Sequence, residues 1–233
     1  REQTHQTLRT NLLEETYDAL DALDTDDDEK LCEELGDLLM QIAMHVQIAI
    51  EEGAFTFSDV IGGIDAKLKR RHPHVFGDLT VQDSSEVLRN WEAIKAAERD
   101  ETGTAHQSRL AGVPAILPAL ARAQELSDRA ARHGFDWSDL DGVLDKLAEE
   151  LSELSAVEEP GRRSEELGDV LFTLVNIARW LDVDAESALR GACDRFVDRY
   201  GQMERMARAQ GTELANLPLA EQDALWERVK TEH

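Results

Sequence analysis

The stretch EELGDVLFTLV, residues 165–175, places acidic residues among Leu, Val and Phe. On a helix with about 3.6 residues per turn, Glu166, Asp169 and Thr173 share one narrow stripe with apolar residues on both sides. This pattern predicts that the two acids face the interior of the protein. Because buried carboxylates are costly unless a cation meets them, the stripe indicates a divalent-cation site.

A second copy of this stretch, EELGDLLMQI, occupies residues 33–42 and again puts Glu34, Asp37 and Gln41 on one face. The resemblance between the halves extends further, because each half has the same four features in the same order. An acid pair three residues apart comes first, followed by Glu-Leu-Gly-Asp, two basic residues four apart, and Trp-Glu-x-x-Lys. We therefore interpret the chain as a tandem duplication. The paired features are Glu15/Asp18 with Glu150/Glu153, Lys67/Arg71 with Arg195/Arg199, and residues 91–95 with 226–230.

Composition limits the function classes. The 233 residues carry a formal net charge of -24, which argues against a nucleic-acid partner because such sites need local positive charge. The longest apolar run, residues 38–50, is broken by polar residues, so no membrane span and no membrane partner are expected.

Cys32 and Cys193 fit neither a disulfide framework nor a cysteine metal site, and we expect a cytoplasmic protein. The chain opens without Met, which suggests part of a longer protein.

The periodicity predicts an all-α protein of two four-helix bundles. We expect residues 1–100 to form the first repeat, 101–109 a polar linker, and 110–233 the second repeat. The predicted helices cover approximately residues 4–24, 29–51, 58–71, 84–99, 118–133, 139–157 and 164–181, with two more after Asp184. Ser58 is the expected cap of the third helix, and Pro160-Gly161 is expected to separate two helices.

In the second half, the short connection between two helices predicts that they lie side by side, with four carboxylates meeting at one place. No His stands at metal-ligand spacing, so the sequence disfavours a di-iron bundle and indicates Mg²⁺ or Mn²⁺ held by oxygen. Lys146, Arg195 and Arg199 could clamp a polyphosphate beside the metal. A structural protein, with its inward acids paired to Lys and Arg, is the alternative that the pattern leaves open.

Several segments resemble the MazG family of nucleoside triphosphate pyrophosphohydrolases. They are residues 13–18 (LEETYD), 33–37 (EELGD), 70–76 (RRHPHVF) and 132–137 (RHGFDW), together with Glu149-Glu150-x-x-Glu153 and Glu166-x-x-Asp169. The resemblance covers almost the whole chain. It implies an all-α tandem-repeat homodimer that uses Mg²⁺ to hydrolyse a nucleoside triphosphate to the monophosphate and pyrophosphate, as broad-specificity housekeeping of the nucleotide pool.

The resemblance also assigns residues. It implies metal ligands at Glu150, Glu153, Glu166 and Asp169, and nucleotide contacts at Lys146, Glu149, Glu165, Arg195, Arg199 and Trp226. We expect metal-bound water to attack a phosphorus, with Glu149 or Glu165 orienting it. The first half would hold a second site at Glu15, Asp18, Glu34, Asp37, Lys67 and Arg71.

Three positions depart from the family pattern. Asp18 replaces a usual Glu, and Gly191 and Cys193 stand where Lys and Asn are common. The last two favour an alternative, a non-catalytic nucleotide-binding or regulatory helical protein. We expect the second half to carry the turnover, because the position of Lys146 is matched by Asn11 in the first half.

Overall fold

A computed structural model describes residues 3–77, 94 and 108–231. Within these residues every regular element is a helix, which confirms the all-α prediction. The chain divides into two compact units, Arg1–Gln107 and Ser108–His233. The predicted helix over residues 84–99, with Trp91, Glu92 and Lys95, lies almost entirely outside the described residues.

The first unit begins with two long helices that pack along each other. Asp27 caps the second of them by accepting a hydrogen bond from the backbone N–H of Lys30 at 3.0 Å. Gly53 follows that helix with φ +69°, a conformation that glycine adopts without strain. The described helices of this unit are α1 (Arg9–Asp24), α2 (Asp28–Glu51), α3 (Phe57–Arg71) and the short α4 (Pro73–Phe76).

The third helix begins at Phe57, two residues earlier than a cap at Ser58 would allow. Thr56, not Ser58, is the N-cap, and it forms a capping box with Asp59. The prediction of Ser58 was wrong because the reciprocal hydrogen bonds of a capping box need an acid three residues after the cap, which only Thr56 has. Pro73 ends the regular helix as predicted, since α3 stops at Arg71.

The second unit is built around a pair of helices joined by three residues. Its elements are α5 (Ala119–Arg132), α6 (Leu140–Ala156), α7 (Pro160–Trp180), α8 (Ala185–Ala209), a 3₁₀ helix (Leu214–Asn216) and α9 (Leu219–Thr231). Helix α6 packs along α7, α5 lies against α7 and α8, and α9 packs on α8. Asp139 and Asp184 cap α6 and α8 through their carboxylates.

Helix α7 starts at Pro160, four residues before the predicted Ser164. Proline is favoured in the first turn of a helix, where its missing N–H has no partner to lose. The Pro160-Gly161 pair therefore opens α7 rather than lying between two helices. This earlier start adds one turn to α7 and brings Arg162 into the helix.

Buried apolar residues of the second unit occur on α6, α7 and α8 and near the end of the chain. Val143 on α6 and Val170 and Val175 on α7 are buried where these helices meet the rest of the unit. A separate cluster joins the end of α8 to the 3₁₀ helix and α9, and it comprises Met203, Ala207, Leu214, Leu225 and Val229. This second cluster fixes the end of the chain and leaves the middle of α8 largely exposed.

Both units leave apolar helix faces in solvent. On α7, Leu167, Leu171 and Leu174 are 45–49% exposed, and on α2, Leu35 and Leu39 are 54% and 60% exposed. Helix α3 has no buried residue at all. None of the described helices has the length and the apolar character that crossing a lipid bilayer requires.

Candidate metal centre

Three carboxylates meet where α6 and α7 face each other. Glu150, Glu153 and Glu166 each place an oxygen within 4.8 Å of the other two. Glu150 and Glu166 are buried, whereas Glu153 is exposed. The structure therefore brings together three of the four acids that the sequence analysis selected for a metal.

The positions of these acids follow from the short connection between the helices. Glu150 and Glu153 stand in the last turns of α6, which ends at Ala156, and Glu166 stands in the second turn of α7. Since three residues join the helices, the end of α6 lies beside the start of α7. Residues three apart on one helix lie on the same side, so Glu150 and Glu153 both reach Glu166.

Asp169, the fourth acid, is exposed and lies outside this group. The prediction that it faces inward was wrong for the single chain. Around the helix axis, Asp169 is turned about 60° from Glu166 in one direction and Val170 about 40° in the other. Val170 and Thr173 are buried, so the covered face is centred near Glu166 and leaves Asp169 at its edge.

A basic residue one turn earlier meets each of the two buried acids. The Lys146 ammonium lies 2.8 Å from an oxygen of Glu150 and donates a hydrogen bond to Glu149, also at 2.8 Å. These hydrogen bonds raise the pKa of Lys146 well above its ordinary value. Arg162 donates from Nη2 to Oε1 of Glu166 at 3.1 Å.

Arg162 is absent from the residues selected by sequence analysis. The sequence spacing could have indicated it, because Arg162 stands four residues before Glu166 just as Lys146 stands four residues before Glu150. The expected start of α7 at Ser164 hid it, since that boundary placed Arg162 in a loop. Glu149 and Glu165, the candidates for orienting water, are both exposed beside the buried acids.

The donor set suits a hard divalent cation. Three carboxylates supply oxygen only, which is the ligand type that Mg²⁺ and Mn²⁺ prefer. Two of the three are buried, and like charges so close together repel each other unless cations compensate them. An open cleft of about 560 Å³ adjoins the group and is lined by Glu153, Arg162 and Glu166 among others. This volume lies within the range of ligand sites.

Two of the other predicted substrate contacts, Arg199 on α8 and Trp226 on α9, lie together. The Arg199 guanidinium lies 5.9 Å from the ring centre of Trp226, a cation–π distance. Phe196 also contacts Trp226, with ring centres 5.6 Å apart. Among the described residues, neither Arg195 nor Arg199 forms an ion pair with the three carboxylates. The structure thus brings Lys146 to the acids and places Arg199 beside Trp226.

The first unit repeats the carboxylate arrangement. Glu15 and Asp18 on α1 and Glu34 on α2 place oxygens within 4.8 Å of one another. The buried Gln41 donates to Glu15 at 3.3 Å. Burial, followed by the charge of Asp18, raises the pKa of Glu34. Asp37, like its counterpart Asp169, lies outside the group of three.

The bases of the first unit are arranged differently. Lys30, at the position that Arg162 occupies in the second unit, forms its ion pair with Asp21 and not with Glu34. Lys67 and Arg71 lie on α3, and among the described elements α3 makes its main contacts with α4. Among the described residues, Lys67 forms no ion pair with Glu15, Asp18 or Glu34. The two candidate sites therefore share their acids and differ in their cations.

The matching family model and the similar proteins of known name indicate the same family. A model described as the MazG nucleotide pyrophosphohydrolase domain matches residues 3–76 and 140–203, which confirms the duplication. The chain is 44% identical over 230 residues to the Nucleoside triphosphate pyrophosphohydrolase/pyrophosphatase MazG of Thermotoga maritima, covering 99% of this chain and 88% of that protein. It is also 44% identical over 235 residues to the Nucleoside triphosphate pyrophosphohydrolase of Escherichia coli, covering 99% and 89%.

Both matched regions carry one group of three carboxylates, since Glu15, Asp18 and Glu34 fall in the first and Glu150, Glu153 and Glu166 in the second. The relatives span nearly the whole chain at an identity that shows common ancestry. The chain therefore belongs to the MazG nucleotide pyrophosphohydrolase family.

Proposed function

We propose that this protein is a Mg²⁺-dependent nucleoside triphosphate pyrophosphohydrolase that converts a nucleoside triphosphate and water to the monophosphate and pyrophosphate. The observation that carries the proposal is the meeting of Glu150, Glu153 and Glu166 beside a cleft. The names of the relatives support the reaction. In this reading the enzyme has broad base specificity and serves the nucleotide pool in the cytoplasm.

The metal ligands in this proposal are Glu150, Glu153, Glu166 and Asp169. The first three have converging oxygens, and Asp169 stands one turn after Glu166 on the same helix. These carboxylates would hold Mg²⁺, which would supply an acidified water and offset phosphate charge. Mn²⁺, with similar ligand preferences, would substitute for it.

The remaining residues bind and orient the substrate. Lys146 holds Glu149 and Glu150 through short ion pairs, and its ammonium lies next to the metal ligands, where it can reach a phosphate oxygen. Glu149 and Glu165 flank the buried acids on the exposed side and are the candidates for orienting the attacking water. Arg195, Arg199 and Trp226 would contact the nucleotide.

The protein in this proposal acts as a homodimer. The support is the exposed apolar faces of α2, α3 and α7, since large apolar patches of a soluble protein usually mark an interaction surface. A second copy of the chain is the occupant that we infer, because the repeats present related faces. The first unit, with its own group of three acids, would provide a second site or serve the dimer.

One observation favours the alternative, a nucleotide-binding protein without turnover. Gly191 and Cys193 stand on α8 beside Arg195, where the family pattern has a Lys and an Asn. A weaker basic surface at this position would lower the affinity for phosphate. The carboxylate group is complete in both readings, so metal binding alone does not separate them.

A product assay separates the readings. The protein is incubated with a panel of canonical and damaged nucleoside triphosphates, with Mg²⁺ and with EDTA, and the products are separated by ion-exchange chromatography. We expect monophosphate and pyrophosphate in equal amounts with Mg²⁺ only. Binding of the triphosphates without any product would favour the alternative, and diphosphate with free phosphate would contradict the proposed reaction.

A further inference from the structure

The ion pair between Arg162 and Glu166 joins an exposed base to a buried acid. Nη2 of Arg162 lies 3.1 Å from Oε1 of Glu166, and the exposed fractions of the two side chains are 64% and 8%. Glu166 is the only contribution of α7 to the group of three carboxylates. Arg162 therefore contacts that group from the solvent side, at an oxygen that a metal ligand would use.

The pair has a clear electrostatic reason. A buried carboxylate that lies within 4.8 Å of two others is repelled by both and has lost much of its hydration. A guanidinium at hydrogen-bonding distance offsets both effects. Lys146 does the same for Glu150 on α6, so each of the two buried acids lies beside one cation of the chain itself.

A guanidinium and a divalent cation compete for one carboxylate oxygen. Both are positive, and at the few ångströms that separate two partners of the same oxygen their repulsion is strong in a site partly shielded from water. The competitor that binds more weakly must move. Arg162 can move, because its side chain is mostly exposed and lines the open cleft beside Glu153 and Glu166.

We propose that Arg162 is a positioning residue that holds Glu166 in the metal-free protein and is exchanged for the metal when the site is loaded. This inference rests on the proposed function, since it takes Glu166 as a metal ligand. Arg162 lowers the repulsion among the three carboxylates and keeps the Glu166 carboxylate directed at Glu150 and Glu153. Because the metal must displace its guanidinium, Arg162 also weakens metal binding. On release its guanidinium faces the cleft.

Among the described residues of the first unit, no base four residues before an acid of the group pairs with that acid. Lys30 stands four residues before Glu34, as Arg162 does before Glu166, yet its ammonium pairs with Asp21 on α1. The part of the first unit that the structure describes therefore offers no counterpart of this exchange at Glu34. Arg163 provides a control within the same turn, because its guanidinium donates to the backbone oxygen of Val157 and not to an acid of the group.

The test is Mg²⁺ binding measured by isothermal titration calorimetry on the full chain. Arg162→Gln should bind Mg²⁺ about threefold to tenfold more tightly than the wild type, because the metal no longer displaces a cation. Arg162→Lys should stay near the wild type. Arg163→Gln removes the same charge one residue away. It should change the dissociation constant for Mg²⁺ by less than about twofold, because salt screens the long-range effect of an exposed charge.

A second measurement keeps the inference testable in the absence of metal. In EDTA, Arg162→Gln should lower the melting temperature by about 1–3 °C, and the same change made in Glu166→Gln protein should have no effect. Equal or weaker Mg²⁺ binding by Arg162→Gln, or an equal loss of melting temperature in both backgrounds, would overturn the exchange. A wild type that does not bind Mg²⁺ would overturn the proposed function itself, and the exchange with it.

Discussion

Arg179, near the end of α7, donates hydrogen bonds to both carboxylate oxygens of Asp136, which stands in the connection between α5 and α6. The Arg179 side chain is 13% exposed and that of Asp136 is 24% exposed. The pair ties the segment that precedes α6 to the far end of α7. It therefore helps to fix the two helices whose other ends carry the carboxylates.

Asp136→Asn should lower the free energy of unfolding near pH 7 by about 1–2 kcal/mol, because Arg179 loses a charged partner. The hydrogen bonds from Arg179 hold the pKa of Asp136 below its ordinary value. A lowered folded-state pKa gives stability that is present above about pH 4 and lost as the pH falls further. Chemical denaturation at several pH values measures the free energy of unfolding of both proteins. If the difference in this free energy between variant and wild type persisted unchanged below pH 3, the explanation would be contradicted.

Gly191 offers a gain-of-function test of the basic surface on α8. A Cβ atom at this position would lie 3.2 Å from Nη1 of Arg195, the mobile end of a side chain that can shift. Gly191→Lys should lower the KM for a nucleoside triphosphate about threefold to tenfold, since it adds a cation beside Arg195.

Gly191→Ala is the matched control for that variant. Both changes remove a helix-interior glycine and should stabilise α8 by about 0.5–1 kcal/mol. Only the lysine adds charge, so only Gly191→Lys should change KM in steady-state kinetics. Equal KM values for the two variants would show that this part of α8 does not contribute to substrate binding.

The exposed face of α7 should form part of a dimer interface. Leu171→Glu places a charge among Leu167 and Leu174 and should shift the mass measured by analytical ultracentrifugation from two chains to one. Leu219→Glu, at a 72% exposed position that opens α9, should leave the mass at two chains. A wild type with the mass of one chain at micromolar concentration would refute the interface.

Much of this arrangement was predictable from the sequence, because it depends on local spacing. The 3.6-residue period predicted the helices, and the three-residue intervals in Glu150/Glu153 and the short connection to α7 predicted that these acids meet Glu166. The repeated Glu-Leu-Gly-Asp predicted the duplication. Each of these predictions requires only one helix, or one pair of helices, to be assigned correctly.

The remaining features depend on neighbours that spacing does not specify. Asp169 lies at the edge of the covered face because the buried side of α7 runs through Val170 and Thr173, and the stripe alone could not show which side was covered. Arg162 was missed because Pro160 opens the helix instead of ending one. The grouping of Arg199 with Trp226 depends on the course of α8, which the sequence pattern left open.

The central claim is that the carboxylates of the second unit hold the metal and carry the turnover. Both units have three converging acids, so the number of acids does not distinguish them. The cations do, because Lys146 contacts Glu150 while the corresponding position in the first unit is Asn11. A charged contact to phosphate is worth about 1.5–3 kcal/mol, which favours the second unit.

The most direct measurement compares two matched double variants in a Mg²⁺-dependent pyrophosphate-release assay, with helical content checked by circular dichroism. Glu166→Gln/Asp169→Asn should be inactive while remaining folded. Glu34→Gln/Asp37→Asn, the same changes in the first unit, should keep most of the wild-type turnover. Near wild-type release by the first of these variants, or loss of release confined to the second, would contradict the account.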